Sequence, residues 1–351
     1  MNNYPHHHSP IVIESGHSHF VVTEDLYPLM LDWAERKQLV IPGAKWFARN
    51  HQLLHTALGQ ILNKGDDVVV VDSLPYYYIG NHLKEEIYRH FIGKQTESGS
   101  VISFESIISL DKVYLPRTTC KVFPLEITRG VDVHGRDVGR RVRPHSQSIE
   151  KQIQEFKQSL SGFDFNVVLV DDGIWTGQTI ELAINALREF KFTVFGVVVG
   201  LCVKKKGHVI DFKLPLGSKI AAVETYESDS RPALDWVCER DFFPGVPFGG
   251  RTVFDDKLQG KFLPTDEKTI GAYYIENQEW LRNWASISDP TGEFRNFCVT
   301  RSIALFEEIG RLSGREVVLR DLDRIPLSLA REDLNMTNAV VKAVLKEMII
   351  Q

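Results

Sequence analysis

The segment Asn166–Ile180, NVVLVDDGIWTGQTI, sets an apolar run directly before two carboxylates and a small polar turn. Val167, Val168, Leu169 and Val170 have the continuous, β-branched-rich character of a central parallel strand covered on both faces. Beyond the turn, Ile180, Leu182, Ala183, Ala186, Leu187 and Phe190 recur at helical spacing, so the segment reads as strand, loop and helix. Thr176, Gly177, Gln178 and Thr179 then fall at a helix N-terminus, where unpaired backbone N–H groups and the helix dipole favour a phosphate. Gly177 lets the main chain approach an anion closely, and Thr176 and Thr179 offer hydroxyl donors. Asp171 and Asp172 cannot be phosphate ligands; they suit a ribose diol or a divalent cation. Phosphate, diol and metal together describe a phosphorylated ribose.

The run VVLVDDGIWTGQTI resembles the 5-phosphoribosyl-1-pyrophosphate (PRPP) motif of the type I phosphoribosyltransferases: apolar strand, acidic pair, short spacer, then Thr-Gly-x-Thr. The chain is also similar to a ComF-like branch of that family. The resemblance implies an α/β fold with an open, mostly parallel sheet and a site at the carboxyl ends of its strands. It implies that Asp171 and Asp172 contact the ribose hydroxyls as catalytic residues and that Thr176, Gly177, Gln178 and Thr179 bind the 5-phosphate. The implied cofactor is Mg²⁺, held mainly by PRPP, with Asp171 or Asp172 as the candidate protein ligand. The implied reaction transfers 5-phosphoribose to a small nitrogenous acceptor, a base or base-like ring, with release of pyrophosphate. One position departs from the 6-oxopurine members, which carry an aspartate where this chain has Trp175. An indole cannot act as a general base, which disfavours hypoxanthine or guanine as acceptor. Trp175 either stacks on a flat acceptor or packs beneath the loop.

Three other stretches bear on the site. Asp67–Asp72, DVVVVD, reads as a further buried strand, and Ser73–Gly80 after it takes the place of the family's pyrophosphate loop, with Ser73 and Leu74 as candidate ligands. Tyr76, Tyr77 and Tyr78 there offer hydroxyls or form a packing cluster. The cation that this loop lacks is expected from Arg129–His145, where Arg129, Arg136, Arg140, Arg141 and Arg143 alternate with glycines as in a mobile surface loop. By analogy that loop closes over the site, Arg136 and Arg140 neutralising pyrophosphate; the same composition suits a solvated or RNA-contacting patch. Asp235–Arg251, rich in aromatics, Pro and Gly, suggests an acceptor hood using Trp236, Arg240, Asp241, Phe242 and Phe243, or else a structural cap.

The organisation expected from the sequence is a helical N-terminal segment and possible hood over 1–64, an α/β core over 65–262 and a helical extension over 263–351. Trp33 and Trp46 anchor the first, which Pro42-Gly43 splits into two helices. With 351 residues, 43% of them hydrophobic, the chain can bury a full core, and a net charge of −5 argues against a protein whose main task is coating nucleic acid. No apolar stretch approaches a membrane span and the start MNNYPHHHSP is unlike a signal peptide, so cytoplasmic residence, no membrane partner and a homo-oligomer are expected. Cys120, Cys202, Cys238 and Cys298 lack disulfide or metal spacing. His6, His7, His8, His17 and His19 carry no assigned role, and Lys204–Lys206 reads as a solvated turn. A PRPP-sensing regulatory or RNA-binding protein on the same scaffold is the alternative reading.

Overall fold

Strands distant in sequence pair with one another, and the chain therefore builds two interleaved compact units. One comprises Met1–Ser15, Pro75–Thr128 and Arg140–Leu234; the other comprises Gly16–Leu74, Arg129–Gly139 and Asp235–Gln351. The consecutive blocks 1–64, 65–262 and 263–351 do not coincide with these units. The computed structural model describes residues 11–13, 17–63, 68–96, 99–111, 113–115, 122–144, 146–160, 165–205, 219–228, 234–255, 257–258, 269–330 and 339–349. The sequence expectations at His6, His7, His8, Asp67, Cys120, His145 and Lys206 lie outside the described residues.

The first unit holds, numbered along the whole chain, β1 (Ile11–Ile13), β4 (Ile107–Ser109), β5 (Phe123–Pro124), β8 (Asn166–Ile174), β9 (Thr193–Lys205) and β10 (Lys219–Ser228). They form one sheet in the order β1-β10-β9-β8-β4-β5, with every neighbouring pair parallel. A parallel sheet needs cover on both faces. On one face α4 (Ile149–Ser159) and α5 (Gln178–Glu189) press Ile153, Phe156, Ile180, Ala183 and Leu187 onto Val167, Leu169, Val197 and Val199. On the other, α3 (Tyr76–His90) packs along β9 and β10. Val167 to Val170 are 0% exposed, a burial worth roughly 1.5–3 kcal/mol per side chain.

Close packing on the α3 face depends on Gly200. A Cβ there would lie 2.7 Å from the backbone oxygen of Asp172 and 2.7 Å from Ile79 Cγ2. Gly200→Ala is therefore expected to destabilise the protein by about 1–3 kcal/mol, read as a lower urea midpoint at unchanged slope.

From β4 the chain passes to β5 on one side, and it later returns to lay β8 on the other. This reversal makes the carboxyl ends of β4 and β8 a topological switch point, where open α/β sheets present their ligand crevice.

The second unit contains the sheet β11-β2-β3, from β2 (His17–Glu24), β3 (Val68–Pro75) and β11 (Leu234–Cys238). A five-stranded sheet runs β14-β13-β12-β6-β7, from β6 (Ile127–Val131), β7 (Asp137–Val142), β12 (Arg251–Val253), β13 (Thr269–Ala272) and β14 (Arg324–Pro326), of which residues 127–128 and 140–142 are counted with the first unit. Its helices are α1 (Leu26–Lys37), α2 (Ala44–Leu62), α6 (Gln278–Ala285), α7 (Glu293–Ser313) and α8 (Val341–Lys346). One core joins Trp33, Leu54 and Leu58 from the first helices to Phe294, Phe306 and Leu345 from the last. Trp33 donates its indole N–H to the Asp321 carbonyl at 2.9 Å, and Trp46 lies partly buried against the same core.

Three sequence expectations change here. The N-terminal part is mainly helical, with α1 and α2 parted at Pro42-Gly43 as expected, but a strand, β2, precedes them and sends Phe20 and Val22 into the core. The C-terminal part adds β13 and β14, strands of 4 and 3 residues, too short for a periodicity window to separate from a helix. Strand β3 is no buried strand of the parallel sheet but an edge strand of the three-stranded one, with Val70 37% exposed. Among the described residues no helix is long and apolar enough to cross a membrane.

Candidate functional site

At the switch point, β8 continues through Asp171 and Asp172 to Ile174, with Asp171 opposite Val199 and Gly173 opposite Leu201. The carboxylates therefore belong to the strand and not to a solvent-facing loop. Asp171 is buried and Asp172 half-buried, and the Asp172 N–H donates to Asp171 Oδ1 at 3.0 Å. Burial pushes the Asp171 carboxyl well above the usual carboxylate range, and the neighbouring charges of Asp172 and Asp111 add to the effect.

Asp111 is a residue the sequence reading passed over. It follows β4, where the Leu110 N–H donates to the Val170 carbonyl at 2.8 Å. Its carboxylate accepts from the backbone N–H groups of Val113, Tyr114 and Leu115 at 2.8, 2.7 and 2.9 Å, which fixes the turn beyond the strand. The Tyr76 hydroxyl donates to the Val113 carbonyl at 2.8 Å, and its ring lies 5.5 Å from that of Tyr114. The signal was present in the sequence: Ile107–Asp111, IISLD, repeats the order of apolar strand and terminal acid seen in VVLVD.

After β8, Trp175 is half-buried and Thr176 exposed. Gly177 caps α5 with φ +72°, in the left-handed region that favours glycine. Helix α5 then opens at Gln178 with no side-chain cap, so its first N–H groups face outward from the helix end. Arg140 donates from Nε to Thr179 Oγ1 at 3.1 Å, which sets a guanidinium beside that terminus. Asp171, Asp172, Trp175, Thr176, Gly177, Gln178, Thr179 and Arg140 all belong to the first unit.

Ser73, Leu74, Arg136, Trp236 and Phe242 belong to the second unit. Ser73 and Leu74 lie within β3, and Pro75 leads straight into α3, so Ser73–Gly80 is no loop. Leu74 is buried, while Ser73 Oγ lies 2.9 Å from His51 Nε2. Burial pulls the His51 imidazole down, but hydrogen bonding and charge from Glu239, with further charge from Glu24, outweigh it and raise its pKa.

The arginine-rich stretch is β6, a tight turn and β7 instead of a mobile loop. Asp132 organises the turn by accepting the N–H groups of His134 and Arg136 at 2.9 and 3.0 Å. Arg136 pairs with Asp132 at 2.7 Å and Arg129 with Asp137 at 2.5 Å, so both cations are already matched to acids of their own hairpin. Gly130 and Gly139 lie within β6 and β7 and Gly135 in the turn between them, an arrangement that composition alone does not distinguish from a loop.

The hood expectation is also corrected. Phe242 and Phe243 are fully buried, and Phe242 packs edge-on against Tyr274 and Phe294 at 5.9 and 5.5 Å, so it cannot stack on an acceptor. Asp241 accepts the Gly250 N–H at 2.9 Å, Arg240 pairs with Asp25, and Trp236 is half-buried in β11. This aromatic segment fills a core. Lys204, expected in a solvated turn, lies in β9 and pairs with Glu227 at 2.6 Å.

Among the described residues no group of three or more His, Cys, Asp or Glu side chains converges to hold a metal ion. No family model matches the chain, and no curated protein matches it. Among solved structures, a hypothetical protein from Neisseria gonorrhoeae with bound ppGpp is similar at 16% identity and a TM-score of 0.29, over 46% of this chain and 82% of that one. A likeness at that level carries no argument about function.

Proposed function

We propose that the first unit is a type I phosphoribosyltransferase scaffold that binds PRPP and transfers its phosphoribosyl group to a nitrogenous acceptor. The observation that carries the reading is the meeting, at the strand-order reversal, of the Asp171–Asp172 pair with the Gly177 turn that opens α5. The open N-terminus of α5 and the Thr179 hydroxyl would take the 5-phosphate. Arg140, assigned to pyrophosphate from the sequence, would instead reinforce that phosphate, since it already reaches Thr179.

Burial favours the protonated form of Asp171, which leaves half-buried Asp172 as the carboxylate that accepts from a ribose hydroxyl. The same negative charge would stabilise the cationic sugar ring as the bond to pyrophosphate breaks. The turn after β4, held by Asp111, lies across the switch point and takes over from Ser73–Gly80 the place proposed for pyrophosphate. The hard carboxylate oxygens of Asp172 would fit Mg²⁺, which binds one or two carboxylates together with substrate phosphates. When bound, the ion would offset the charge of the departing pyrophosphate.

Isothermal calorimetry with PRPP and Mg²⁺ tests the reading, followed by an acceptor screen that reads pyrophosphate release. A folded protein that takes up no PRPP sinks it. Arg140→Ala is expected to weaken PRPP binding about ten- to a hundredfold, the loss of one charge-assisted hydrogen bond of roughly 1.5–3 kcal/mol. Its melting temperature should stay within a degree or two of wild type, because the side chain is only half-buried.

A further inference from the structure

Helix α2 lies along the edge strand β3 and meets it at every second residue. Asn63, just past the end of α2, accepts the Val69 N–H at 2.8 Å and donates to the Val69 carbonyl at 3.2 Å, and His55 Nε2 donates to the Val71 carbonyl at 2.9 Å. These contacts serve the main chain of an edge that pairs with no further strand. The third is of another kind. His51 Nε2 lies 2.9 Å from the Ser73 hydroxyl, and the opposite ring nitrogen, Nδ1, lies 3.4 Å from Glu239 Oε2. A histidine that only closed the strand edge, as His55 does, would need no acid behind it.

Hydroxyl, imidazole and carboxylate follow one another inward. Ser73 is half-buried, His51 7% exposed and Glu239 3% exposed, so a nucleophile near the surface backs onto a base and then onto an acid. Glu239 is held at its other oxygen, where the Asn50 amide donates to Oε1 at 3.4 Å, and Arg301 Nε donates to Asn50 Oδ1 at 2.7 Å. The buried Nδ1 of His51 makes no full hydrogen bond at 3.4 Å, the loose spacing that such groups show before a substrate draws them together. With its proton on Nδ1 toward Glu239, His51 offers the Nε2 lone pair to the Ser73 hydroxyl. A second carboxylate, Glu24 Oε1, stands 3.3 Å from Nε2, placed to offset the charge of an imidazolium. Ser73 also shares the register of Val69 and Val71, whose main-chain groups turn to α2, so its own N–H points out of the sheet edge as a donor for an oxyanion.

We propose that Ser73, His51 and Glu239 are a nucleophile, base and acid that hydrolyse uncharged carboxylic esters. Ser73 Oγ attacks the carbonyl carbon as its proton passes to His51 Nε2, and the carbonyl electron pair moves onto oxygen. When that pair returns, the bond to the alcohol oxygen breaks and the departing oxygen takes the proton from Nε2. Water then adds to the Ser73 ester and gives a proton to Nε2; cleavage of the bond to Oγ returns that proton to Ser73 and releases the carboxylic acid. Glu24 and Glu239 repel an ester that carries its own carboxylate, which restricts the substrate to uncharged ones. All of these residues belong to the second unit, and the site does not depend on PRPP.

The full-length protein is treated with a fluorophosphonate, which a nucleophilic serine captures with loss of fluoride, and is assayed in parallel with p-nitrophenyl acetate. Labelling confined to Ser73 and saturable release of p-nitrophenol are expected, with turnover falling about a hundredfold or more in Ser73→Ala and in His51→Gln. Ser73→Ala removes one oxygen from a half-buried side chain, so it keeps the test decisive if His51→Gln loosens α2 from β3. Glu239 acts through His51 as a positioning residue. Burial lowers the His51 pKa, while Glu239, and then Glu24 and Asp25, raise it above its usual value, with His55 beside Glu24. Glu239→Gln is therefore expected to lower the pH of half-maximal labelling, which a packing role would not do. Absence of label from Ser73, turnover that survives Ser73→Ala, or an unchanged labelling midpoint in Glu239→Gln overturns the proposal and makes His51 a third structural contact on β3. PRPP binding is measured separately, so any of these results leaves the phosphoribosyl reading standing.

Discussion

Replacing Asp171 and Asp172 together with asparagine is expected to abolish measurable PRPP binding while the melting temperature stays level or rises. The two halves of this result have different causes. Asp172, the ionised member, would accept from both hydroxyls of the ribose diol, and each such charge-assisted hydrogen bond contributes about 1.5–3 kcal/mol, so losing both lowers affinity by a factor on the order of a hundred to ten thousand. Stability moves the other way. Asp171 sits inside β8 with a pKa raised chiefly by burial, so the folded protein holds that proton more readily than the unfolded chain does. The stability it contributes is complete below the unfolded pKa and is lost as pH rises through the folded value. Near neutrality a neutral asparagine of the same shape removes that cost. Thermal melts at pH 5 and pH 8, alongside calorimetry with PRPP, check both halves. A melting temperature that falls in step with PRPP binding would show the pair to be structural.

The largest loss of stability is expected from Asp25→Ala. Asp25 is fully buried, accepts the Arg240 N–H at 3.1 Å and pairs with its guanidinium. Removing the carboxylate takes a buried cation's closest counter-charge away, which costs about 3–5 kcal/mol. Burial pushes this carboxyl up to about 7; the Arg240 charge opposes that rise, and Asp241 and Glu239 add to it. The unfolded group titrates near 3.8, so stability falls as pH rises from there to neutrality. Asp25→Asn keeps an acceptor for the Arg240 N–H and should flatten that slope. Urea melts of wild type and both variants at pH 5 and pH 8 measure the two effects. A wild-type stability that climbs over this range, with the Asp25→Asn slope unchanged, would exclude Asp25 as the group responsible.

The parallel-sheet strand and its turn were legible because their signal is local. Four apolar residues buried on both faces, two acids and a glycine state their own geometry within fifteen residues, Asn166–Ile180. The partner across the switch point was harder to choose. DVVVVD is the more strand-like run in composition, yet short IIS at β4 lies beside β8, because pairing follows the fold's topology and not the hydropathy of either segment. Phe242 and Arg136 were misread for a related reason. An aromatic, glycine-rich segment looks the same whether it roofs a ligand or fills a core, and a basic stretch looks the same before its acids are found in space. Asp132 and Asp137 lie within Arg129–His145 itself, and only the hairpin brings them onto Arg136 and Arg129.

The interleaving of the two units also sets an order of assembly. All strands of the six-stranded sheet have been synthesised once Ser228 is made, whereas β2 and β3 lack their third strand until β11 follows. The helices α1 and α2 wait longer still, since their apolar faces close on side chains from Phe294 to Leu345. A chain emerging from the ribosome N-terminus first would thus carry its earliest helices uncovered while the later-encoded sheet matures around Asp171. Interrupting synthesis near residue 235 should leave a folded phosphate-site unit tethered to an unfolded leading segment.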